Sequence, residues 1–352
     1  MSKVPQIELD STPPAAVSAA GAAARLAEPA AAAVPTTAAA VSVAEPAEPA
    51  EPAEPAAIDE LLVKTSRTFA LAIPLLPEPT RQQVAIAYLL FRIADTFEDA
   101  ELWPRERKLD ALARFERLLL RPAPDEARRE AGAWLAEPPC ADAGYLELLR
   151  QTPAVLGAFW LLDERPRQLI GEHTRRTVEG MARFVRRATA GGDLELSDLE
   201  DLKGYCYVVA GIVGEMLTEL FLVGRRALAP VRSFLRERSA RFGEALQLVN
   251  IIKDSLADAG HGRRFLPPGS SLAEVVTLAR QDLQVAMRYT LGLQRAGAPR
   301  GIVAFAALPV RLAQATLDLI EQRGPGVKLS RPEVSRIVAA LDLALDQGLP
   351  AV

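Results

Sequence analysis

From Ile58 to the C-terminus, apolar positions recur at intervals of three and four residues, and strand-like alternation is scarce. Ile86, Leu89, Leu90 and Ile93 keep this rhythm, as do Leu248, Ile251, Ile252 and Ser255 with Leu256. Such spacing lines apolar side chains along one stripe of an α-helix. Proline and glycine interrupt it at Pro77–Pro79, Pro122–Pro124, Pro138–Pro139, Gly191–Gly192, Pro267–Gly269, Pro299 and Gly324–Gly326, where helices are expected to end. The pattern predicts an all-α, single-domain fold of roughly ten or more helices, with no parallel-sheet signature.

Residues 1–57 read differently. Ala, Pro, Ser, Thr and Glu dominate, and Ala44–Ala56 repeats Ala-Glu-Pro four times. Repeated proline removes backbone donors, and few bulky side chains are available to bury, so this segment is expected to be a disordered or extended tail, with the folded domain at 58–352. Deleting residues 1–57 is therefore expected to leave the cooperative thermal melt and most turnover in place; loss of either would show that the tail packs into the fold or its site.

Composition narrows the chemistry. The chain has 352 residues, 49% hydrophobic and 24% charged, with a net charge of -4. Seven acidic and two basic residues lie within 1–57, so the remainder stands near +1, which argues against a nucleic-acid surface. Cys140 and Cys206 are far apart and outside any CxxC spacing, and His173 and His261 are equally isolated. A disulfide framework, a Cys-rich zinc site and a histidine-based nucleophile system are disfavoured, and a reducing, cytoplasmic setting is expected. No strongly apolar run of membrane-spanning length stands out, and the Ala-rich run Ala15–Ala24 lacks the Leu-rich centre of a signal peptide. Catalysis must then rest on carboxylates, cations and aromatic groups.

Two segments offer such groups. In Arg92-Ile-Ala-Asp95-Thr-Phe-Glu98-Asp99, the helical period puts Asp95, Glu98 and Asp99 on one face and Arg92 a turn earlier. Carboxylates this close repel one another unless cations intervene, and hard oxygen ligands suit Mg²⁺, which commonly bridges to substrate phosphates. A solvated acidic face is the alternative. In the second segment, Asn250, Asp254 and Asp258 fall at i, i+4 and i+8 with Lys253 beside them, a polar stripe on an otherwise apolar helix that faces either water or a polar cavity. Taken together, two such stripes describe a diphosphate clamp, in which metal-holding carboxylates and Arg or Lys donors neutralise a leaving group.

These stripes and their neighbours resemble the squalene/phytoene synthase family, and squalene synthases more than phytoene synthases. The resemblance runs from about Thr65 to about Val334 and is carried by Ser66-Arg67-Thr68-Phe69, the Asp95–Asp99 segment, Tyr205 to Gly214, Asn250 to Asp254, Gly262 to Pro267, Phe305 to Pro309 and Val327-Lys328. It implies an isoprenoid-synthase helical fold with a central cavity between the two acidic helices. It implies that Asp95, Glu98, Asp99, Asp254 and Asp258 bind Mg²⁺, and that Ser66, Arg67, Arg92, Asn250, Lys253 and Arg263 contact diphosphate. Lys253, Arg263 and Lys328 would meet NADPH. Tyr205 would sit near the reacting carbons, shielding them or relaying a proton, and Phe305 would offer a ring face to a carbocation; ordinary core packing is the alternative for both. Gly211 and Gly214 are read as positions that permit close helix packing or leave room for an isoprenoid tail.

There are departures from the family pattern. Ala257 stands where an additional carboxylate is usual, Ser255 where tyrosine is common, Leu266 in place of a frequent tryptophan, and Ser330 where some squalene synthases carry a basic residue. The activity implied is condensation of two farnesyl diphosphates to presqualene diphosphate and NADPH-dependent reduction to squalene, with peripheral association at the inner face of a membrane for product release. The rivals are an enzyme that stops at presqualene diphosphate or hydroxysqualene, one that omits reduction and forms dehydrosqualene or phytoene, and an inactive protein that binds prenyl diphosphates or acts as an assembly subunit.

Overall fold

The computed structural model describes residues 55–66, 68–189, 194–260 and 263–352, with side chains outside the description at 55–56, 257–260 and 263. The chain enters through α1 (Pro55–Thr65), α2 (Phe69–Ala72) and a 3₁₀ turn (Ile73–Leu75), followed by α3 (Thr80–Glu98), α4 (Arg105–Leu118) and α5 (Pro124–Ala136). Next come α6 (Ala143–Arg150), α7 (Thr152–Trp160), α8 (Glu164–Arg187), α9 (Leu199–Cys206), a π-helical turn (Tyr207–Gly211) and α10 (Ile212–Leu222). The last part holds α11 (Arg232–Gly260), α12 (Leu272–Arg295), α13 (Arg300–Arg323) and α14 (Arg331–Asp346). The only strands among the described residues are β1 (Leu194–Glu195) and β2 (Arg263–Arg264), a two-residue parallel pair. The all-α expectation holds, and helix α1 opens three residues before Ile58, with Pro55 at a helix start where a missing N–H costs nothing.

Most of each apolar stripe read from the sequence is buried, whereas Leu256, at the end of the second stripe, is 68% exposed. Ile86, Leu89, Leu90 and Ile93 of α3 are each 0% exposed, and on α11 Leu248, Ile251 and Ile252 are buried in the same core. Ile58, Leu61 and Leu62 dock α1 onto it. The expectation that no run is long and apolar enough to cross a membrane is corrected. Leu199–Leu222 and Arg300–Arg323 pass that test by length and composition, with 61% and 67% of their apolar windows inside the fold. Their apolarity serves the core, as a helix surrounded by other helices requires.

Glycines let the central helices approach one another. A Cβ on Gly214 of α10 would lie 2.0 Å from the Ser239 carbonyl oxygen, and one on Gly243 of α11 would lie 2.0 Å from that of Ala210. Backbone meets backbone at both points, which draws the π-helical turn and α10 tightly against α11. The close-packing reading of Gly214 is thereby given its partner, and Gly211 lies against Tyr207 and Glu244.

Candidate active site

The C-terminal half of α3 carries the first acidic segment. The Arg92 guanidinium pairs with Asp95 (Nη1 to Oδ2, 3.3 Å) and donates to the Tyr88 hydroxyl from Nε at 3.3 Å and Nη2 at 3.1 Å. Tyr88 in turn donates to the Thr65 carbonyl at 2.9 Å, tying α3 to the end of α1. The Ser66 hydroxyl accepts from the Phe69 amide at 3.0 Å, so Ser66 shapes the turn into α2. Burial pushes the Asp95 carboxyl up to about 6; Arg92 opposes that shift and Asp99 adds to it. Burial works against the charge on Arg92, but Asp95, Tyr88 and Tyr145 together more than offset it and hold the guanidinium protonated.

Glu98 is turned inward. It is 8% exposed, its Oε1 accepts from the Tyr205 hydroxyl at 3.3 Å, and its carbonyl accepts from Lys108 Nζ at 3.0 Å. Tyr205, 4% exposed, stacks on Phe265 (centroids 4.8 Å apart) and meets Phe184 edge-on at 5.2 Å. Its hydroxyl is thus held at the C-terminal end of the acidic helix within an aromatic surround. Phe305 is 1% exposed and packs against Phe221 at 5.8 Å and Phe69 at 6.4 Å, while Phe69 reaches Tyr88 at 5.6 Å. Phe221, Phe305, Phe69 and Tyr88 therefore form a continuous aromatic run ending at Arg92. Phe305 is closed within it, and Phe69 and Tyr88 are its half-buried members.

The second stripe lies on α11. Lys253 Nζ stands 3.1 Å from Asp254 Oδ2 and donates to Asn250 Oδ1 at 3.3 Å, with Ile251 and Ile252 buried on the other side of the helix. The Ser255 hydroxyl donates back to the Ile252 carbonyl at 3.0 Å. Gly326 donates its amide to the Lys253 carbonyl at 2.8 Å, which brings the segment leading to Lys328 onto the C-terminal third of α11. Gly324 and Gly326 have φ of +83° and +86°, a conformation that glycine adopts without strain. Ser330 caps α14 in a capping box with Glu333, so this departure from the family pattern has a structural use. Arg67 lies outside the described residues, as do the side chains of Asp258, Arg263 and Ala257.

Among the described residues no group of three or more His, Cys, Asp or Glu side chains stands close enough to hold a metal ion. Asp95 is matched by Arg92 and Asp254 by Lys253. The donor chemistry nevertheless fits Mg²⁺: the candidates are all oxygen donors, and an Asp95 carboxyl raised by burial despite its arginine is short of positive charge. Sequence reasoning assigned no role to Tyr88, Phe265, Phe184 or Tyr145. Tyr88 was legible as the residue one turn before Arg92; the others reach the site from distant segments.

Residues 62–268 match the squalene/phytoene synthase family model. The resemblance noted at Phe305–Pro309 and Val327-Lys328 lies beyond that match. Over 198 residues the chain is 33% identical to the squalene synthase LSS of Botryococcus braunii, covering 56% of this chain and 38% of that relative. Over 308 residues it is 30% identical to squalene synthase 1 of Arabidopsis thaliana, covering 79% of this chain and 69% of the relative. The chain thus spans well under half of the first relative and about two thirds of the second. The solved complex of TcSQS with the ligand E5700 superimposes with a TM-score of 0.65 at 25% identity, over 83% of this chain and 88% of that one. By a family match over most of its folded part, and by these relatives, the chain belongs to the squalene/phytoene synthase family.

Proposed function

We propose that this protein joins two farnesyl diphosphates head to head to presqualene diphosphate and reduces that product to squalene with NADPH. The observation that carries the reading is the placement of the Tyr205 hydroxyl on Glu98, at the end of the helix bearing Asp95 and Asp99 and between Phe265 and Phe184. Ionising an allylic diphosphate requires a stabilised leaving group and a dry, electron-rich wall for the cation. Arg92, steadied by Tyr88, donates to the departing diphosphate. The Tyr205 phenol, hydrogen-bonded to a buried carboxylate, is placed to pass a proton between substrate and diphosphate oxygens. Phe69 and the rings behind it exclude water.

Asp95, Asp99 and Asp254, with Asp258, would hold Mg²⁺, which supplies charge neutralisation for the diphosphate. Lys253 and Lys328, brought to the C-terminal third of α11 by the Gly326 hydrogen bond, would hold NADPH through side chains, together with Arg263. None of these three residues lies in a Gly-rich dinucleotide fingerprint. NADPH supplies the hydride of the reductive half. A cytoplasmic protein that touches a membrane peripherally to release an apolar product fits the same reading.

One observation favours a second reading, an inactive prenyl-diphosphate binder: Asp95 pairs with Arg92 and Asp254 with Lys253, and the described carboxylates do not gather into a ready metal cluster. Pyrophosphate release on mixing with farnesyl diphosphate and Mg²⁺ separates the two. Product analysis then tests the reduction. Without NADPH the expected products are presqualene diphosphate or dehydrosqualene-type compounds; with NADPH the flux should turn to squalene. A profile indifferent to NADPH would remove the reductive half and leave head-to-head condensation standing.

A further inference from the structure

Arg92 is held by more than its own helix. Its guanidinium carbon lies 5.5 Å from the centroid of the Tyr88 ring and 5.8 Å from that of Tyr145. Tyr88 precedes Arg92 by one turn of α3, whereas Tyr145 comes from the first turn of α6. The approach of α6 is itself built. Asp142 caps the helix by accepting from the Tyr145 amide at 3.0 Å. A Cβ on Gly144 would come within 2.6 Å of the Lys64 carbonyl, so only glycine lets this end of α6 close on the end of α1. That contact falls beside Thr65, the residue whose carbonyl anchors the Tyr88 hydroxyl. The three elements around Arg92 thus converge on one point, and the guanidinium lies within cation–π distance of both tyrosine rings with Asp95 on its Nη1 side.

We propose that Tyr145 is a positioning residue for Arg92. With Tyr88 it forms an aromatic sleeve that keeps the guanidinium in one orientation, so that its grip on diphosphate is preorganised. The physical reason is that a long arginine side chain loses rotamer entropy when it clamps a ligand. A cation held over ring faces has lost much of that freedom beforehand. A ring also suits a weakly hydrated guanidinium, because it holds the flat face and leaves the rim N–H groups for oxygen acceptors, which here are the Tyr88 hydroxyl and Asp95 and would include diphosphate. The proposal rests on the reading of Arg92 as a diphosphate ligand.

The test uses inorganic pyrophosphate with MgCl₂, titrated calorimetrically into the full chain, beside steady-state turnover with farnesyl diphosphate. Tyr145→Leu is expected to weaken pyrophosphate binding and raise KM on the order of 3- to 10-fold, the range that a partly exposed cation–π contact supports, with a smaller effect on kcat and an unchanged thermal melt. Tyr145→Phe keeps the ring and should restore binding to near wild type. In an Arg92→Lys background, Tyr145→Leu should add less than about 2-fold, because the partner it positions is gone. Wild-type affinity in a folded Tyr145→Leu protein would overturn the sleeve, and so would a Tyr145→Phe variant as impaired as Tyr145→Leu. If the wild-type chain fails to bind pyrophosphate at all, the reading of Arg92 falls together with the sleeve, a result distinct from wild-type binding that Tyr145→Leu leaves untouched.

Discussion

Asp95→Asn is expected to lower turnover by on the order of 10² to 10³, the usual cost of removing one charge-stabilising contact from a transition state, while helical content stays unchanged. The substitution is nearly isosteric, and it acts on a carboxyl whose surroundings already strain its charge. Burial raises its proton affinity and Asp99 adds to that, with Arg92 as the opposing cation. Asparagine removes the negative charge that makes this position attractive to a divalent ion, and it frees Arg92 from its ion pair without emptying the space. Asp254→Asn should behave alike, because Asp254 is the described carboxylate of the second stripe and is paired with Lys253. Circular dichroism and turnover across a Mg²⁺ titration provide the check. Near wild-type rates at limiting Mg²⁺ for either variant would take its helix out of the metal site.

Gly243→Ala is expected to destabilise the fold by about 1–3 kcal/mol, the range for overpacking an interior that cannot yield. The new methyl would meet the Ala210 carbonyl oxygen at 2.0 Å, and that oxygen belongs to backbone in the π-helical turn next to α10. A flexible side chain could swing away; here two helices must part. Because Tyr205 lies on α9 immediately before that turn, separation would also move its hydroxyl relative to Glu98. Gly132→Ala on α5 is the control. Nothing lies within 4 Å of its added Cβ, so the helix should gain stability, by up to about 1 kcal/mol, from losing glycine's backbone freedom. Thermal melts of the two variants side by side decide the matter: equal melting points would mean that the π-helical turn and α11 are not locked together at Gly243.

Much of this was legible before any coordinates. The period of three and four around Ile86–Ile93 and Leu248–Ile252 implied buried helix faces, because a helix can present only one stripe to a core, and those residues are buried. Local spacing also put Arg92 beside Asp95 and Lys253 beside Asp254, since residues one turn apart on a helix are neighbours whatever surrounds them. The carboxylate stripes, and the absence of a histidine or cysteine system, came from the same local rules.

What lies across the fold did not. Tyr205 was singled out, but nothing in its own helix said that its hydroxyl would rest on Glu98, 107 residues earlier in the chain. Glu98 shares a face with Asp95 and Asp99 by spacing, yet the packing of α9 turns it inward, to 8% exposure. The aromatic run from Phe221 through Phe305 to Phe69 joins three separate helices, and the ring of Tyr145 reaches Arg92 only because Gly144 admits α6 against Lys64. Even the two apolar stretches of membrane-spanning length are assigned to the core by their neighbours and not by their composition. The sequence determined the helices, their buried stripes and the charges one turn apart, because those follow from the geometry of a single helix. The tertiary structure decided which carboxylate meets a phenol, which arginine is sleeved by rings and how closely the central helices approach, because these depend on side chains brought together from distant segments by a shared core.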